Sequence, residues 1–420
     1  MYVYLPLHAK DAWDPKMAFH YPRWFIFGYK IGVTAILGGA ASFRVAMFFV
    51  LPARILGVRY LTRGGLFNIA DSSVRRLPRI MFPILLTATL EYFLIEASAF
   101  RWISRLPSRS WNTWSYFVDY TSLFAFFNSY ISMWFTVPPV QPAIVQRYAI
   151  GIMWSVPPMV QFTWSLFLCA IIAYQAKNAY KRFSFYFACL FFSWYANRLD
   201  TLFIMGLAVA DLDCKLNYRE KAKRGMSILP NFLTTRYTAL QKVKIPGQTI
   251  PWLVFVTGWF MTWCETSGLV FPNASKREIA LRPDFTTGNP RGWANPNITL
   301  NYNDLKFTCI FTVCSFYLLC DLNKTFNKLF CLRIWQWIGK HSFGVFLLHG
   351  ACFWSWAPFC MIHLLMRGVP YWAAHLISFI TSYMLLALVA VIFTHTGDKW
   401  GAYASVAFWR LVSRGYGRRK

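Results

Sequence analysis

Apolar runs close to twenty residues long recur along this chain, and no other feature restricts its fold as much. A helix of about 20 residues crosses the roughly 30 Å hydrocarbon core of a bilayer with its backbone hydrogen bonds made internally. Composition agrees: of 420 residues, 57% are hydrophobic and 14% charged, where a soluble domain carries about a quarter charged residues. The sequence has no strand-like alternation of the kind a membrane barrel needs. The expected fold is all-α, a polytopic transmembrane helical bundle forming a single membrane-embedded domain over residues 1–420.

Lys and Arg number 43 against 16 Asp and Glu, a formal charge of +27. These cations fall between the apolar runs, where the positive-inside rule puts them. The surplus therefore points to lipid head groups and phosphorylated donors rather than to nucleic acid. The ten cysteines are scattered, mostly inside apolar runs, and form no C-x-x-C pair, so neither a zinc nor a redox site is expected. The first 30 residues contain no apolar core of a cleavable signal.

Nine spans are expected: 31–52, 80–98, 151–174, 183–196, 199–212, 250–271, 306–322, 342–365 and 370–394. The basic stretches 54–79, 177–182, 215–244 and 324–340 and the tail 397–420 define the cytoplasmic side. Residues 99–150 and 272–305 then lie opposite. The second of these carries acceptor sequons at Asn273 and Asn297, which fits a lumenal face in an endomembrane, with the plasma membrane as the alternative. Residues 116–137 read as an interfacial or re-entrant piece, given Asp119, Asn128 and the Pro138-Pro139 pair. Parity closes only if residues 1–30 lie on the non-cytoplasmic face. Four basic residues there make that awkward, so one further helix ahead of the first run is expected.

Ionisable groups inside such runs are expensive and need a partner or a task. His349 sits in an apolar stretch. It reads either as a neutral imidazole bonded to a neighbouring helix or as an acid/base. Glu91, Asp200 and Glu265 read as structural carboxylates, with Arg44 or Arg198 as partners. Arg75, Arg76 and Arg79 stand where a basic segment enters the second span. Arg76 and Arg79, three apart, are placed on one helix face. Their guanidinium forks suit a pyrophosphate, although positive-inside anchoring produces the same pattern.

The stretch W-Q-W-I-G-K-H-S-F-G-V-F-L-L-H-G, Trp335 to Gly350, resembles the late signature of the membrane acyltransferase 3 family, particularly its fungal branch. Ser72 to Pro83, Met47 to Gly57 and Trp154 to Ser165 are similar to further motifs of that family, with weaker echoes at 203–211 and 398–409. There are departures. Pro52-Ala53 replaces a usual Ser-Gly, and the family's glutamate position falls near Met159, with Gln161 close by. The family's opening segment, with its first-helix histidine, has no counterpart, since His8 and His20 lie in polar, proline-punctuated sequence.

The resemblance implies a ten-helix bundle minus its first helix. It implies transfer of an acyl group, acetyl foremost, from acyl-CoA to a hydroxyl of a sugar, lipid or secondary metabolite, without a metal. Arg75, Arg76 and Arg79 would hold the CoA phosphates. His349 is the candidate catalytic residue, because the family's first-helix base is missing. Two alternatives stand beside this: a non-catalytic descendant that binds lipid or acyl-CoA, and a transporter or flippase. Internal symmetry would favour the last, and none is visible in the sequence.

Overall fold

A computed structural model describes residues 41–102, 120–135, 144–145, 148–196, 198–227, 244–267, 278, 281–282 and 305–413. The described chain is helical. In order it forms α1 (Ala41–Arg63), α2 (Leu66–Glu96), α3 (Leu123–Phe135), a 3-10 segment (Tyr148–Ser155), α4 (Val156–Gln175), α5 (Ala179–Tyr195), α6 (Asp200–Cys214) and α7 (Tyr218–Lys223). After these come α8 (Thr249–Ser267), α9 (Phe307–Leu322), α10 (Lys324–Phe330), α11 (Arg333–Met366), α12 (Tyr371–His395) and α13 (Gly397–Ser413). One antiparallel pairing of Met226–Ser227 with Lys244–Ile245 is the only extended structure among the described residues.

The chain thus has the composition and helicity of an integral membrane protein. Five of its described helices are long and apolar enough to cross a bilayer, or six if the pair Phe307–Leu322 and Lys324–Phe330, bent by 105°, counts as one. Helices also stand where the expected short spans 183–196 and 199–212 lie, but α5 and α6 are 17 and 15 residues long. At 1.5 Å per residue, 15 residues cover only about 22 Å. In the expected interfacial piece, α3 is a 13-residue helix. Residues 1–30, both sequons and 414–420 lie outside the described residues, as do the side chains of Arg44 and Glu265.

The basic segment 54–79 differs from expectation. It is not a connecting loop: α1 runs through Pro52 to Arg63, and α2 carries Pro78 and Pro83 inside it. A proline removes one intrahelical bond, which membrane helices tolerate when neighbours serve the freed carbonyl. The break comes instead at Gly64 and Gly65, with φ of +63° and +82°. Both glycines occupy the left-handed region that ends helices, and a Cβ at Gly64 would lie 2.4 Å from the Tyr174 hydroxyl. The tail likewise begins as a helix, α13, whose buried residues Gly397, Gly401 and Ser405 recur every fourth position.

Residue contacts divide the chain into two compact units. The first comprises, among described residues, 70–160 and 333–413. Its core joins Ile80, Ile84 and Ala88 of α2, Phe126 to Trp134 of α3, Tyr148 to Val156, Leu347 to Ala357 of α11, and Leu386 and Phe393 of α12. Helix contacts here are made through small residues. A Cβ on Gly344 would stand 3.0 Å from the Ala390 carbonyl, and one on Gly401 would stand 2.9 Å from the Arg79 carbonyl and 2.8 Å from Pro83. Because Pro83 has no N–H to offer residue 79, the Arg79 carbonyl is the one left open, and α13 approaches there.

The second unit comprises residues 41–69 and 161–332 where described. Gly206 lets α6 close on α1, with an added Cβ only 2.7 Å from Ala53 and from the Val50 carbonyl. Its cations are matched by carboxylates. Arg182 bonds Asp211 twice, at 2.7 and 3.1 Å, and the same carboxylate accepts from Tyr186 at 2.9 Å. Arg182 also donates to the Ala176 and Lys177 carbonyls at the end of α4. Arg54 and Arg219 share Asp213 and Asp321, and Tyr218 donates to Asp321. Burial, and then the bond to Asp321, push the Tyr218 phenol well above its ordinary range and keep it a donor. The carboxylate of Glu278 accepts from Trp194 at 3.0 Å and from the Phe307 amide at 2.8 Å, capping α9.

Two outcomes follow from these contacts. Asp211→Asn strands the buried Arg182 charge and lowers stability by about 3–5 kcal/mol, measured as the unfolding midpoint of detergent-solubilised protein. Gly206→Val overpacks the α1–α6 contact at a cost of about 1–3 kcal/mol, whereas Gly339→Ala, at a position with open space around it, leaves that midpoint in place.

Candidate functional site

The candidate carrier-binding and catalytic residues, Arg75, Arg76, Arg79 and His349, all fall in the first unit, on α2 and α11. The buried residues of α2 include Ser73, Ile80, Ile84, Thr87 and Glu91, a stripe repeating every three to four positions. Arg76 lies within that stripe, one turn before Ile80. Arg79 lies outside it and is exposed. The two arginines are therefore neighbours, but only one of them turns toward the core. Arg75, on the flank, reaches Asp71 at 3.4 Å with 38% of its side chain accessible.

Arg76 is the unusual member. Its guanidinium Nε is shut off from solvent and makes no hydrogen bond among the described residues. The Ser73 hydroxyl, one turn earlier on the same stripe, is also buried and unbonded. Buried polar groups in folded proteins are nearly always paired, and an orphan calls for an explanation. In the second unit the carboxylates of Asp211, Asp213 and Asp321 answer Arg54, Arg182 and Arg219. On α2, Asp71 engages Arg75.

His349 lies on α11 between Leu348 and Gly350, both buried, and is itself half-buried. Its Nδ1 is 2.7 Å from the Phe346 carbonyl. A carbonyl only accepts, so Nδ1 carries the proton and Nε2 presents its lone pair. Nε2 makes no hydrogen bond among the described residues. The rings of Phe346 and Phe353 stand 6.5 and 6.1 Å away. This tautomer suits a base that takes a proton at Nε2.

A second imidazole on α11 escaped the sequence reading. In the sequence His341 stands between Lys340 and Ser342, at the polar start of the run. It is 3% exposed, and its Nδ1 lies 2.9 Å from Thr394 Oγ1, which in turn donates to the Ala390 carbonyl at 2.8 Å. The Thr394 proton is thus committed, so His341 also donates through Nδ1. His395 lies 6.4 Å away, ring to ring. Helical spacing carried the signal: positions 341, 344 and 348 share one face, and all three are buried.

The carboxylates divide as well. Asp200 pairs with Arg198 at 3.2 Å, as expected. Glu91 is 2% exposed and lies on the same α2 stripe as Arg76. No family model matches the chain, and no curated protein or solved structure matches it either.

Replacing Arg76 with Met removes a buried, unbonded Nε and is expected to stabilise the unliganded protein by about 1–3 kcal/mol. Arg79→Ala should stay within about 0.5 kcal/mol, as exposed positions do. Thermal unfolding of the two variants side by side checks the contrast.

Proposed function

We propose that this chain is a membrane-bound acyltransferase, moving an acyl group, acetyl foremost, from acyl-CoA to a hydroxyl of a sugar, lipid or secondary metabolite. The observation that carries the reading is Arg76, whose buried Nε, like the Ser73 hydroxyl one turn earlier, makes no hydrogen bond among the described residues. Cationic and hydroxyl donors held without a protein acceptor are suited to phosphate oxygens. Arg75 and Arg79, adjacent on α2, add positive charge at the same end. The resemblance of Trp335–Gly350 and Ser72–Pro83 to the acyltransferase 3 signatures supports the same assignment.

The chemistry asked of the chain is limited. The acceptor oxygen attacks the thioester carbonyl, the C–O bond forms and the C–S bond breaks. The hydroxyl proton passes to His349 Nε2 and from there to the departing CoA sulfur. Arg76 and His349 flank residues of one core, Ile80 and Ile84 on α2 and Leu347, Leu348 and Cys352 on α11. The arginines sit on the basic segment assigned to the cytoplasm, where acyl-CoA is available. An endomembrane or plasma-membrane location, with about nine spans, fits this orientation.

Coenzyme A binding and transfer from labelled acetyl-CoA, measured on the full chain in lipid nanodiscs, test the proposal. Arg76→Ala is expected to weaken CoA binding by about 10- to 100-fold, the loss of one or two charge-assisted hydrogen bonds. His349→Gln should leave CoA binding within about twofold and lower transfer by about 10²- to 10⁴-fold. CoA bound equally well by wild type and Arg76→Ala would sink the reading. Binding without transfer would reduce the chain to a carrier-binding protein.

A further inference from the structure

The first two turns of α11, Arg333 to Lys340, are exposed without exception, large side chains included: Ile334, Trp335, Trp337 and Ile338. A Cβ added at Gly339 would meet nothing within 4 Å. No carboxylate pairs with Arg333 or Lys340 among the described residues. So much contiguous apolar surface marks a contact with something other than water. Tryptophan interleaved with cations is the composition found at the level of lipid head groups. Lipid is therefore the neighbour of this end of the helix.

Next to it, α11 and α12 bring two imidazoles together. His341 and the exposed His395 have ring centres 6.4 Å apart, and Trp337 lies 4.9 Å from the His341 ring. His341 keeps its Nδ1 proton on Thr394 Oγ1, whose own proton goes to the Ala390 carbonyl. Its Nε2 makes no hydrogen bond among the described residues, and neither does His395. In the neutral ring Nε2 is a lone pair, and it becomes a donor only when the ring takes up a second proton. An acceptor placed at Nε2 therefore draws a proton onto His341. Lys340 precedes this ring, while Asp398 and Lys399 follow His395 with charges that offset one another. Two imidazolium rings so close repel each other unless an anion stands between them. One oxygen held by two ring nitrogens at about 2.8 Å places ring centres up to roughly 8 Å apart, and the observed spacing falls within that reach.

We propose that His341 and His395, flanked by Lys340 and Trp337, form a proton-linked binding site for the phosphate of an anionic lipid head group. The site lies wholly in the first unit, uses none of the α2 arginines and does not depend on the acyltransferase reading. Charged imidazoles hold the phosphate through charge-assisted hydrogen bonds. The lipid is released as pH rises through the range in which histidine titrates. Inorganic phosphate offers the same oxygens, but only a lipid also covers Ile334, Trp335 and Ile338.

The probe is dioleoyl phosphatidate, whose phosphate is terminal, titrated against the full chain in detergent and read by native mass spectrometry. Binding is expected to be at least about fivefold tighter near pH 6 than near pH 8. A phosphomonoester gains negative charge over that interval, so attraction to an ordinary basic surface gives the opposite order. His395→Gln, at an exposed position, should weaken phosphatidate by about 5- to 10-fold near pH 6 and remove most of the pH preference. Arg410→Gln takes the same charge from an exposed position on α13, about 22 Å further along the chain, and should change binding by less than about twofold. Phosphatidylcholine, whose choline offsets its phosphate, should not compete. The site is overturned if phosphatidate binds no better than phosphatidylcholine, if it binds as tightly near pH 8 as near pH 6, or if His395→Gln leaves it unchanged. It is equally overturned as a lipid site if inorganic phosphate at equal concentration displaces the phosphatidate.

Discussion

In hydrocarbon a leucine gains nothing by leaving lipid for protein, so apolar area by itself does not hold membrane helices together. What remains is close approach and polar pairing, and the helix contacts of this chain use both. Gly206 against Val50 and Ala53, Gly344 against Ala390 and Gly401 against Pro83 are all places where a methyl group would collide with backbone or side chain. Each brings two helices near enough for dispersion forces to act over many atoms. At Gly401 the approach falls on the carbonyl that Pro83 leaves without its intrahelical donor, so the helix's weakest bond is also where its neighbour fits.

The same solvent makes charge unforgiving, and the two units treat it differently. In the second, Arg54, Arg182 and Arg219 are answered by Asp211, Asp213 and Asp321, with Tyr186 and Tyr218 completing the coordination. Such clusters fix the geometry of helix ends more than they add net stability. In the first unit, Arg76 Nε and the Ser73 hydroxyl are buried donors with no hydrogen bond among the described residues. Consistency across levels normally breaks where function requires it, and this stripe of α2 is where the sequence motifs and the unbonded donors coincide.

Much of this was legible in the sequence because bilayer thickness and charge placement act over whole segments. The all-helical class follows from run lengths, and Asp200 with Arg198 follows from adjacency. Arg76 and His349 stood out as cations and an imidazole at the edges of apolar runs. Segment boundaries were harder to read: Pro52, Pro78 and Pro83 look like breakers, yet they sit inside helices, while the actual break is the Gly64-Gly65 pair. His341 was missed because it follows a lysine, and a single polar neighbour masked the three-and-four spacing that buries it.

Helix α11 is 34 residues long, about 51 Å from end to end, and a hydrocarbon core is about 30 Å thick. Some 20 Å of it must therefore tilt or stand in head groups. Its first residues, Arg333 to Lys340, are exposed on every side and carry both cations, so the overhang falls at that end. The two imidazoles then sit at different depths: His341, buried against Thr394, directly follows that exposed end, and His349 lies about 12 Å deeper along the rod. A proton exchanged between the deeper ring and the head-group end has that distance to cover.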